Sequence, residues 1–345
     1  APRSTLPPGE LLGMSHTLGH RLREGGFPPP AEVRKTGVLI IGGGVSGLSA
    51  AWRLARAGFE DFLVLEMESE IGGNSRAGRS PLVAYPWGAH YLPLPTQEST
   101  EVRRLLAEVG VLQGDPAAAR PTNEERFLCA TPQERVYRNG LWDEGLLPHR
   151  GVDAAERGQQ RRFHARMDEF KHAIGRDGRR AFAIPMEHSS RDPQWRELDR
   201  QTFADWLNAQ GFTAPSLHWL ANYACRDDYG TAYTQTSAWA GVHYFACRNG
   251  EAANASGDAV LTAPEGNAWL VRGLAEKAAG RIVTDALVWR IEEGKSNAAV
   301  DVNFGQKTVR FEARHVIWAA PAFILPRVWP AMPGELRLTE PRSRA

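Results

Sequence analysis

The sequence predicts an α/β fold built around a Rossmann-like dinucleotide-binding domain, and three features near its start carry that prediction. Residues 38–41 (VLII) are apolar β-formers that run directly into a glycine-rich turn at 42–47 (GGGVSG). Residues 48–57 then show the apolar spacing of a helix. Residues 63–65 (LVL) form a second apolar strand that ends at Glu66. Strand, glycine turn, helix and strand-terminal acid form the context in which G-x-G-x-x-G indicates dinucleotide binding.

Each glycine of this motif has a separate expected role. Gly42 allows the tight turn, Gly44 lets a pyrophosphate approach the backbone, and Gly47 lets the helix pack closely against the strand. The free N–H groups of the first helical turn and the positive end of the helix dipole then face the phosphates. Val45 and Ser46 in that turn are therefore candidate phosphate-binding residues.

The residues after the second strand narrow the choice of dinucleotide. Glu66 lies 24 positions after Gly42, where an acid can accept hydrogen bonds from a ribose hydroxyl. Nicotinamide enzymes usually turn away after this acid. Here Met67 leads on to a second glycine pair, Gly72-Gly73, which is followed by Asn74. Two later motifs accompany this pair: PWGAHY at 86–91 and VIWAAP at 316–321.

Together these motifs resemble the flavin-containing amine oxidase superfamily, which includes amine oxidases, phytoene-type desaturases and protoporphyrinogen oxidases. The resemblance covers residues 37–95 and 260–330 well and the middle of the chain loosely. It implies FAD, and not NAD, as the tightly bound cofactor. It also implies a Rossmann-like FAD-binding domain, in which a parallel sheet carries helices and a β-meander, with an inserted mixed α+β substrate domain.

The expected domain boundaries follow from this resemblance. We expect an extended N-terminal arm, two parts of the FAD-binding domain separated by the inserted domain, and a C-terminal tail. The ranges, in chain order, are 1–36 for the arm, 37–95 for the first FAD part, 96–259 for the insertion, 260–330 for the return segment and 331–345 for the tail.

The resemblance also implies individual cofactor contacts. Asn74 stands where many relatives carry arginine, so Arg76 is expected to take over a phosphate contact. Val288 is expected to hydrogen-bond the adenine through its backbone, and the 88–91 turn to pass beside the flavin ring. The complete set of predicted cofactor-binding residues is Gly42, Gly44, Val45, Ser46, Gly47, Glu66, Met67, Gly72, Gly73, Asn74, Arg76, Gly88, Ala89, His90, Tyr91 and Val288.

Two residues are candidates for catalysis. If the 88–89 turn lies beneath the flavin, His90 could relay protons or hydrogen-bond to the cofactor. The alternative is a histidine bonded to backbone. Alignment on Pro321 puts Arg327 where amine oxidases of the superfamily often have a lysine that holds a water. An arginine stays protonated and does not act as a base, so the alternatives for Arg327 are carboxylate binding or a surface position.

The expected function is that of an FAD-dependent oxidoreductase, with hydride transfer from an amine or a related C–H donor to flavin. One alternative is a flavoenzyme of the same fold that acts as a desaturase or isomerase. The other is a shortened, non-catalytic FAD-binding or scaffold protein, since superfamily members usually continue well past the VIWAAP motif and Ala345 is only 24 residues after Pro321. The expected partner is a small molecule, an amine among the candidates.

Composition and residue spacing exclude several other classes of protein and site. A formal net charge of +1 over 345 residues gives no field for nucleic acid or an anionic membrane. No run approaches the ~18 apolar residues of a membrane span. His16 and His20 have the spacing of two metal ligands on a helix, but no acid or cysteine completes a set, so no metal is expected. Three cysteines do not indicate a disulfide framework.

The middle of the chain is less informative. The patterns predict amphipathic helices over 100–112 and 198–211, a strand and turn over 126–137, and a charged helical segment over 151–182 with too few apolar positions for a core. An aromatic block at 219–245 could line a pocket or a core. Asp227 and Asp228 fall in a predicted polar turn or pocket loop.

Compartment and oligomeric state are not determined by the sequence. The chain begins at Ala1 and not at methionine. The N-terminal arm resembles that of a group of bacterial flavoproteins that carry export signals, which leaves a bacterial cytoplasmic location and a periplasmic one, with a signal cleaved before Ala1, as the two expectations for a soluble chain.

Overall fold

The structure is a computed structural model that describes residues 12–129 and 134–337. The described chain divides into two compact units, unit 1 (12–90 and 264–337) and unit 2 (91–129 and 134–263). The helices are α1 His16–Glu24, α2 Val45–Arg56, α3 Thr100–Glu108, α4 Ala154–His172, α5 Pro193–Arg196, α6 Phe203–Ala209, α7 Pro215–Tyr229, α8 Ala238–Ala246, α9 Ala268–Glu276 and α10 Leu325–Val328. The strands are β1 Pro30–Ile41, β2 Phe62–Leu65, β3 Ala77–Arg79, β4 Ala84–Pro86, β5 Tyr91–Pro93, β6 Leu112–Gln113, β7 Thr122–Asn123, β8 Arg135–Arg138, β9 Leu141–Glu144, β10 Val260–Thr262, β11 Ile282–Val283, β12 Leu287–Glu293, β13 Ala298–Phe304 and β14 Lys307–Trp318.

Unit 1 is built on one mixed sheet with strand order β11-β2-β1-β14-β13-β12. Its first four strands are parallel, and Ile41 at the end of β1 lies opposite Leu65 of β2 and Trp318 of β14. Strands β12, β13 and β14 pair antiparallel as a meander. The α/β class, the parallel sheet and the meander predicted from the sequence are thus confirmed.

The apolar run at 38–41 forms the centre of this unit. Leu39 and Ile40 have no solvent exposure, because β1 is covered on both faces. Such near-continuous apolar strands are typical of parallel sheets. Helix α2 follows the turn, buries Leu48, Ala51 and Trp52, and packs against α9. The first strand, the glycine turn and the helix therefore hold one another in a fixed geometry.

Unit 2 has a helical core formed mainly by α4, α6, α7 and α8. The prediction of an amphipathic helix near 198–211 is confirmed by α6, which buries Phe203, Trp206 and Leu207. The prediction for 151–182 is wrong in one respect. Helix α4 does reach the core, because its sparse apolar residues, Phe163, Met167 and Phe170, recur at spacings of four and three and share one face.

Several element limits differ from the prediction. Helix α3 begins at Thr100 as predicted but ends at Glu108, where Val109 and a left-handed Gly110 (φ 75°) terminate it. Residues 125–127 form a 3-10 turn, and β8 begins only at Arg135. The predicted segment 126–137 includes residues 130–133, which lie outside the described residues. Asp227 and Asp228 lie in the last turn of α7, which Gly230 caps, and not in a loop.

The boundary between the units lies a few residues from the expected positions. Strand β5 pairs antiparallel with β10, with Leu92 opposite Leu261. This pairing places residues 91–95 and 260–263 in unit 2, whereas the sequence motifs assign them to the FAD-binding domain.

The N-terminal arm is not a simple extended segment. Residues 16–24 form α1, and residues 30–36 are the first half of β1, which pairs with β14. The extension of β1 was missed because Lys35 and Thr36 interrupt the apolar pattern. Residues 1–11 of the expected arm and 338–345 of the expected tail lie outside the described residues. In the part of the chain that the structure describes, no helix has the length and apolar character needed to cross a membrane.

Candidate dinucleotide-binding site

The turn after β1 is shaped by backbone packing at two of its glycines. Gly42 has φ 112°, a conformation that glycine adopts without strain, and a Cβ there would lie 2.8 Å from the Ala319 carbonyl oxygen. A Cβ on Gly47 would lie 1.9 Å from the Gly42 carbonyl oxygen. Both positions therefore require glycine for the fold itself, in agreement with the roles expected of them.

Gly44 is different, because its surroundings are open. Its backbone is extended (φ −75°, ψ −177°), which any residue can adopt. A Cβ there would meet only the Cα of Gly73, at 3.8 Å. Gly44 also forms a β-bridge with Gly72. The two glycine pairs thus lie against each other through their backbones, and we call Gly43, Gly44, Gly72 and Gly73 the glycine cradle.

The first turn of α2 opens at this cradle. Gly44 is the N-cap residue and has no side chain to cap the helix, and Val45 and Ser46 beside it are exposed. The first N–H groups of a helix lack intrahelical partners and carry the positive end of the helix dipole. Such a helix terminus suits an anion, and phosphate binding by Val45 and Ser46 remains a prediction.

Glu66 is held at one edge of the cradle by backbone donors. It is buried (6% exposed), and its Oε2 accepts a 2.7 Å hydrogen bond from the Gly43 N–H. Its Oε1 accepts a 2.8 Å hydrogen bond from the Glu68 N–H. Each carboxylate oxygen retains a further acceptor site. The arrangement leaves Glu66 able to accept hydroxyl hydrogen bonds, and Met67 beside it is half-buried.

The second glycine pair closes the other side of the cradle. Gly72 and Gly73 have positive φ values, 119° and 53°. The Gly72 N–H donates to the Gly43 carbonyl oxygen at 2.8 Å. A Cβ on Gly73 would lie 3.3 Å from the Gly44 Cα. The two glycine motifs are therefore in direct backbone contact.

The 86–90 segment is anchored to the same loop. The Asn74 carbonyl oxygen accepts a hydrogen bond from the Ala89 N–H at 2.9 Å, and a Cβ on Gly88 would lie 2.9 Å from that oxygen. The Ala89 carbonyl oxygen in turn accepts from the Asn267 N–H. The His90 side chain is exposed, and its Nδ1 lies 3.1 Å from the Gly88 carbonyl oxygen. Tyr91 begins β5 in unit 2.

The structure thus places the predicted flavin-side residues next to Asn74, through main-chain bonds. Asn74 takes part through its backbone carbonyl group. The His90 ring lies against a backbone carbonyl oxygen, which was the alternative considered for this residue. A role for His90 toward a cofactor remains a prediction.

Arg76 already has protein partners. One guanidinium nitrogen lies 3.8 Å from Glu68 Oε2, and another donates a 2.7 Å hydrogen bond to the Gly13 carbonyl oxygen. The phosphate contact expected of Arg76 remains a prediction, but this side chain also ties the N-terminal segment to the loop after β2.

Val288 lies in strand β12 of the meander, and Arg327 lies on the short helix α10 that follows it. Val288 is buried in the apolar cluster of the meander, and its backbone pairs with Val302 of β13. The backbone that contacts Glu66 belongs instead to Val283, which accepts from the Glu66 N–H, and to Ala286, which donates to the Glu66 carbonyl oxygen. The adenine contact expected of the Val288 backbone remains a prediction. Arg327 is exposed on the short helix α10, in agreement with the surface alternative.

A cavity of about 700 Å³ lies beside the loop that carries the second glycine pair. Its walls come from residues 69–71 and 75–77, from one side of α9, and from Ile282 and Thr284 at the end of β11. Volumes of roughly 300–1,000 Å³ are typical of small-molecule sites. The cavity places Thr284, but not Val288, among its lining residues.

Sequence reasoning missed three participants in this site. Gly43 was left as a variable position of the motif, yet a Cβ there would lie 2.9 Å from the Glu66 Cβ. Glu68 and Ser15 are the others, since Ser15 donates its N–H to Glu68. The second acid two residues after Glu66 was a visible signal, but its partner lies 53 positions away in the chain.

No metal centre occurs in the part of the chain that the structure covers, in the sense that no three His, Cys, Asp or Glu side chains gather there. The His16 and His20 rings contact each other edge-on, with centroids 5.6 Å apart.

Comparison with known protein families and sequences agrees with this geometry. The model of the NAD(P)-binding Rossmann-like domain matches residues 40–109. A peroxisomal N(1)-acetyl-spermine/spermidine oxidase from Bos taurus is 37% identical over 111 residues, which are 32% of this chain and 20% of that protein. A Baeyer-Villiger monooxygenase from Pseudomonas aeruginosa is 36% identical over 80 residues, 23% of this chain and 15% of that protein.

Solved structures extend the similarity over most of the chain. Putrescine oxidase bound to putrescine superposes with a TM-score of 0.61 at 19% identity and covers 88% of this chain. Cyclohexylamine oxidase from Brevibacterium oxydans does so with a TM-score of 0.56 at 18% identity. At such identities the likeness concerns the fold. The chain spans 62% of the length of each of these two oxidases.

The sequence matches and the fold agree with the order of motifs in the chain: glycine turn, strand-terminal acid, second glycine pair and meander. The dinucleotide-binding match at residues 40–109 and the fold shared with solved amine oxidases agree with the resemblance of this chain to the flavin-containing amine oxidase superfamily.

Proposed function

We propose that this chain binds FAD through unit 1 and acts in an oxidoreductase that removes a hydride from an amine or a related C–H donor. The observation that carries the proposal is the glycine cradle. Its open face at Gly44, the uncapped start of α2 and the buried carboxylate of Glu66 form the three recognition elements of a dinucleotide: space, a pyrophosphate site and a ribose acceptor.

The residues present fit FAD in particular because of the second glycine pair. A dinucleotide lies against the backbone of Gly44, and the bridge to Gly72 makes the cradle two-sided. Asn74, which follows Gly73, then accepts a main-chain hydrogen bond from Ala89, the residue after Gly88. The site therefore continues beyond the pyrophosphate, which suits a cofactor whose second half is large.

Each residue has a defined task in this proposal. The first-turn N–H groups of α2 hold the pyrophosphate, and Glu66 accepts from the ribose because its two backbone bonds fix its orientation. When bound, FAD supplies the hydride acceptor itself, so the protein needs no catalytic triad. His90, whose Nδ1 lies 3.1 Å from the Gly88 carbonyl oxygen, is the residue that would exchange a proton at that end of the site.

An amine substrate is supported by relatives and by side chains of unit 2. The relatives include enzymes named for spermine, spermidine and putrescine. In unit 2, the Trp219 and Tyr223 rings stack with centroids 5.6 Å apart and an interplanar angle of 14°, and both are more than a third exposed. Burial raises the pKa of Tyr223, and the nearby charge of Asp227 adds to this effect. Exposed rings next to a carboxylate favour a cationic ligand.

The first experiment measures how much flavin the protein binds. The purified chain is examined by visible absorption before and after denaturation, and is then titrated with FAD. Near-stoichiometric flavin supports the proposal, and failure to bind added FAD contradicts it. A flavin-loaded chain is next tested with putrescine, N1-acetylspermidine and an uncharged alcohol, with peroxide release or reduction of an artificial acceptor as the readout. Turnover of amines alone supports the amine assignment.

A further inference from the structure

The N-terminal segment is attached to the loop that follows the ribose acid. Glu68 is buried (6% exposed), and a buried carboxylate requires partners. Its Oε1 accepts a 2.8 Å hydrogen bond from the Ser15 N–H, and Arg76 lies 3.8 Å from its Oε2. Arg76 also donates to the Gly13 carbonyl oxygen at 2.7 Å. Two residues of one loop thus hold both sides of the turn that precedes α1.

The same carboxylate is linked to the candidate dinucleotide site. The Glu68 N–H donates to Glu66 Oε1 at 2.8 Å, so a chain of hydrogen bonds runs from Ser15 through Glu68 to Glu66. Arg76 is in contact with the glycine cradle as well. Its side chain packs so closely against Gly72 that a Cβ on this glycine would lie 2.9 Å from the Arg76 Cγ. A shift of Glu66 or of the glycine cradle is therefore transmitted to the contacts that hold residues 13–15.

The rest of the segment is only lightly anchored. No residue of α1 is fully buried. Arg21 donates a 2.9 Å hydrogen bond to Asn303 Oδ1, and Phe27 stacks on Trp289 with centroids 5.0 Å apart. Segments with few buried apolar contacts open at low free-energy cost. The contacts to Glu68 and Arg76 therefore decide whether the start of this segment is docked.

We propose that residues 13–24 form a latch on the adenosine end of the dinucleotide site, and that docking of the latch is thermodynamically coupled to occupancy of that end. The ligand class is an adenosine diphosphate moiety, free or as part of FAD. A ligand that restricts the motion of Glu66 and of the loop after β2 also restricts Glu68, which is the acceptor for the Ser15 N–H. By linkage, docking of the latch raises the affinity for the ligand by the same factor by which the ligand favours docking, and we expect the higher affinity to appear as slower release. This inference rests on the proposed function, in which Glu66 binds the ribose.

Amide hydrogen exchange tests the coupling without any assay of activity. The full chain is measured alone, with FAD, with ADP and with FMN, which lacks the adenosine half. We expect FAD and ADP to slow exchange over residues 13–24 by about 5-fold or more, the lower range of typical couplings, and FMN to have no effect. Unchanged exchange in an FAD-saturated chain overturns the latch but leaves the proposed function intact. Absence of both FAD and ADP binding overturns both.

Paired variants isolate the Ser15 N–H. Ser15 has φ −73°, which proline can adopt, so Ser15→Pro removes the donated N–H together with the capping hydroxyl. Ser15→Ala removes the hydroxyl alone and is the matched control. We expect FAD to dissociate several-fold faster from Ser15→Pro than from Ser15→Ala. Glu68→Gln should likewise release FAD faster and expose the latch, whereas Glu24→Gln, a charge removal at the exposed end of α1, should not. The latch is contradicted if FAD dissociates at equal rates from Ser15→Pro and Ser15→Ala, and at equal rates from Glu68→Gln and Glu24→Gln.

Discussion

The backbone N–H of Gly43 donates a 2.7 Å hydrogen bond to Oε2 of Glu66, which joins the turn after the first strand directly to the acid after the second. These two residues are 23 positions apart in the chain. The glycine turn and the acid thus form one hydrogen-bonded unit, in which a change at one residue displaces the other.

This relationship predicts that Gly43, like Gly42, does not tolerate a side chain. In Gly43→Ala the new Cβ would lie 2.9 Å from the Glu66 Cβ and 3.0 Å from Ile71 Cγ2. The carboxylate must then move away from its position in the site. We expect FAD affinity to fall about tenfold, equivalent to the loss of one hydrogen bond to a charged group, as measured by fluorescence titration. Affinity equal to that of the unmodified chain would show that Glu66 does not bind the cofactor.

Gly44→Ala and Gly47→Ala separate binding from folding. At Gly44 the only neighbour is Gly73 Cα at 3.8 Å, so the alanine should leave the free energy of unfolding nearly unchanged while it crowds the pyrophosphate. At Gly47 the Cβ meets a backbone oxygen at 1.9 Å, which should cost about 3 kcal/mol of stability. Urea unfolding and FAD retention measure the two effects. Undiminished FAD retention in Gly44→Ala argues against the cradle.

The charged helix α4 is predicted to be essential to unit 2. Phe163 has no solvent exposure and contacts the Phe212 and Phe245 rings edge-on. Phe163→Ala should lower the free energy of unfolding by about 3–5 kcal/mol, the usual cost of truncating a buried aromatic ring. His164→Ala, the next position in the same helix, is the control. Unfolding in urea is monitored by tryptophan fluorescence. Equal losses of unfolding free energy in the two variants would disprove the core position of α4.

The buried thiols of unit 2 give a pH-dependent prediction. Burial raises the pKa of Cys225 to about 11 and that of Cys247 to about 12. An unfolded thiol ionises near pH 8.5–9, so both protons are held more tightly in the folded state. Their contribution to stability is complete below that pH and is lost as the pH rises toward 11 and 12.

Thiol labelling checks this assignment. In a Cys129→Ser background only Cys225 and Cys247 remain of the three cysteines. We expect a disulfide reagent to leave both unlabelled at pH 8 in the native chain and to label both after denaturation. Rapid native labelling of either one would mean that its thiol is accessible and that burial does not set its reactivity.

Asp227→Asn tests the amine assignment in unit 2. If this carboxylate attracts the cationic substrate beside Tyr223, the substitution should raise KM for putrescine about 2–5-fold and leave kcat unchanged, as expected for an exposed charge pair. Glu251→Gln removes an exposed acid elsewhere in the same unit and serves as the control. A fall in kcat with unchanged KM would contradict a binding role.

The sequence alone determined the dinucleotide unit, because its signals are local. The glycine turn at 42–47 and the strand that ends at Glu66 each depend on the backbone conformation of a few adjacent residues. Their spacing in the sequence could therefore be interpreted directly. The helix at 203–209 was found for the same reason, since its apolar residues share one face.

The tertiary structure decided the features that depend on residues distant in the chain. Glu68 and Ser15 meet across 53 positions, Val288 is withdrawn into the meander core by its pairing with Val302, and α4 is buried by partners from other helices. No local pattern encodes such contacts. Periodicity records which face of an element is apolar, whereas the identity of the partner depends on how the whole chain packs.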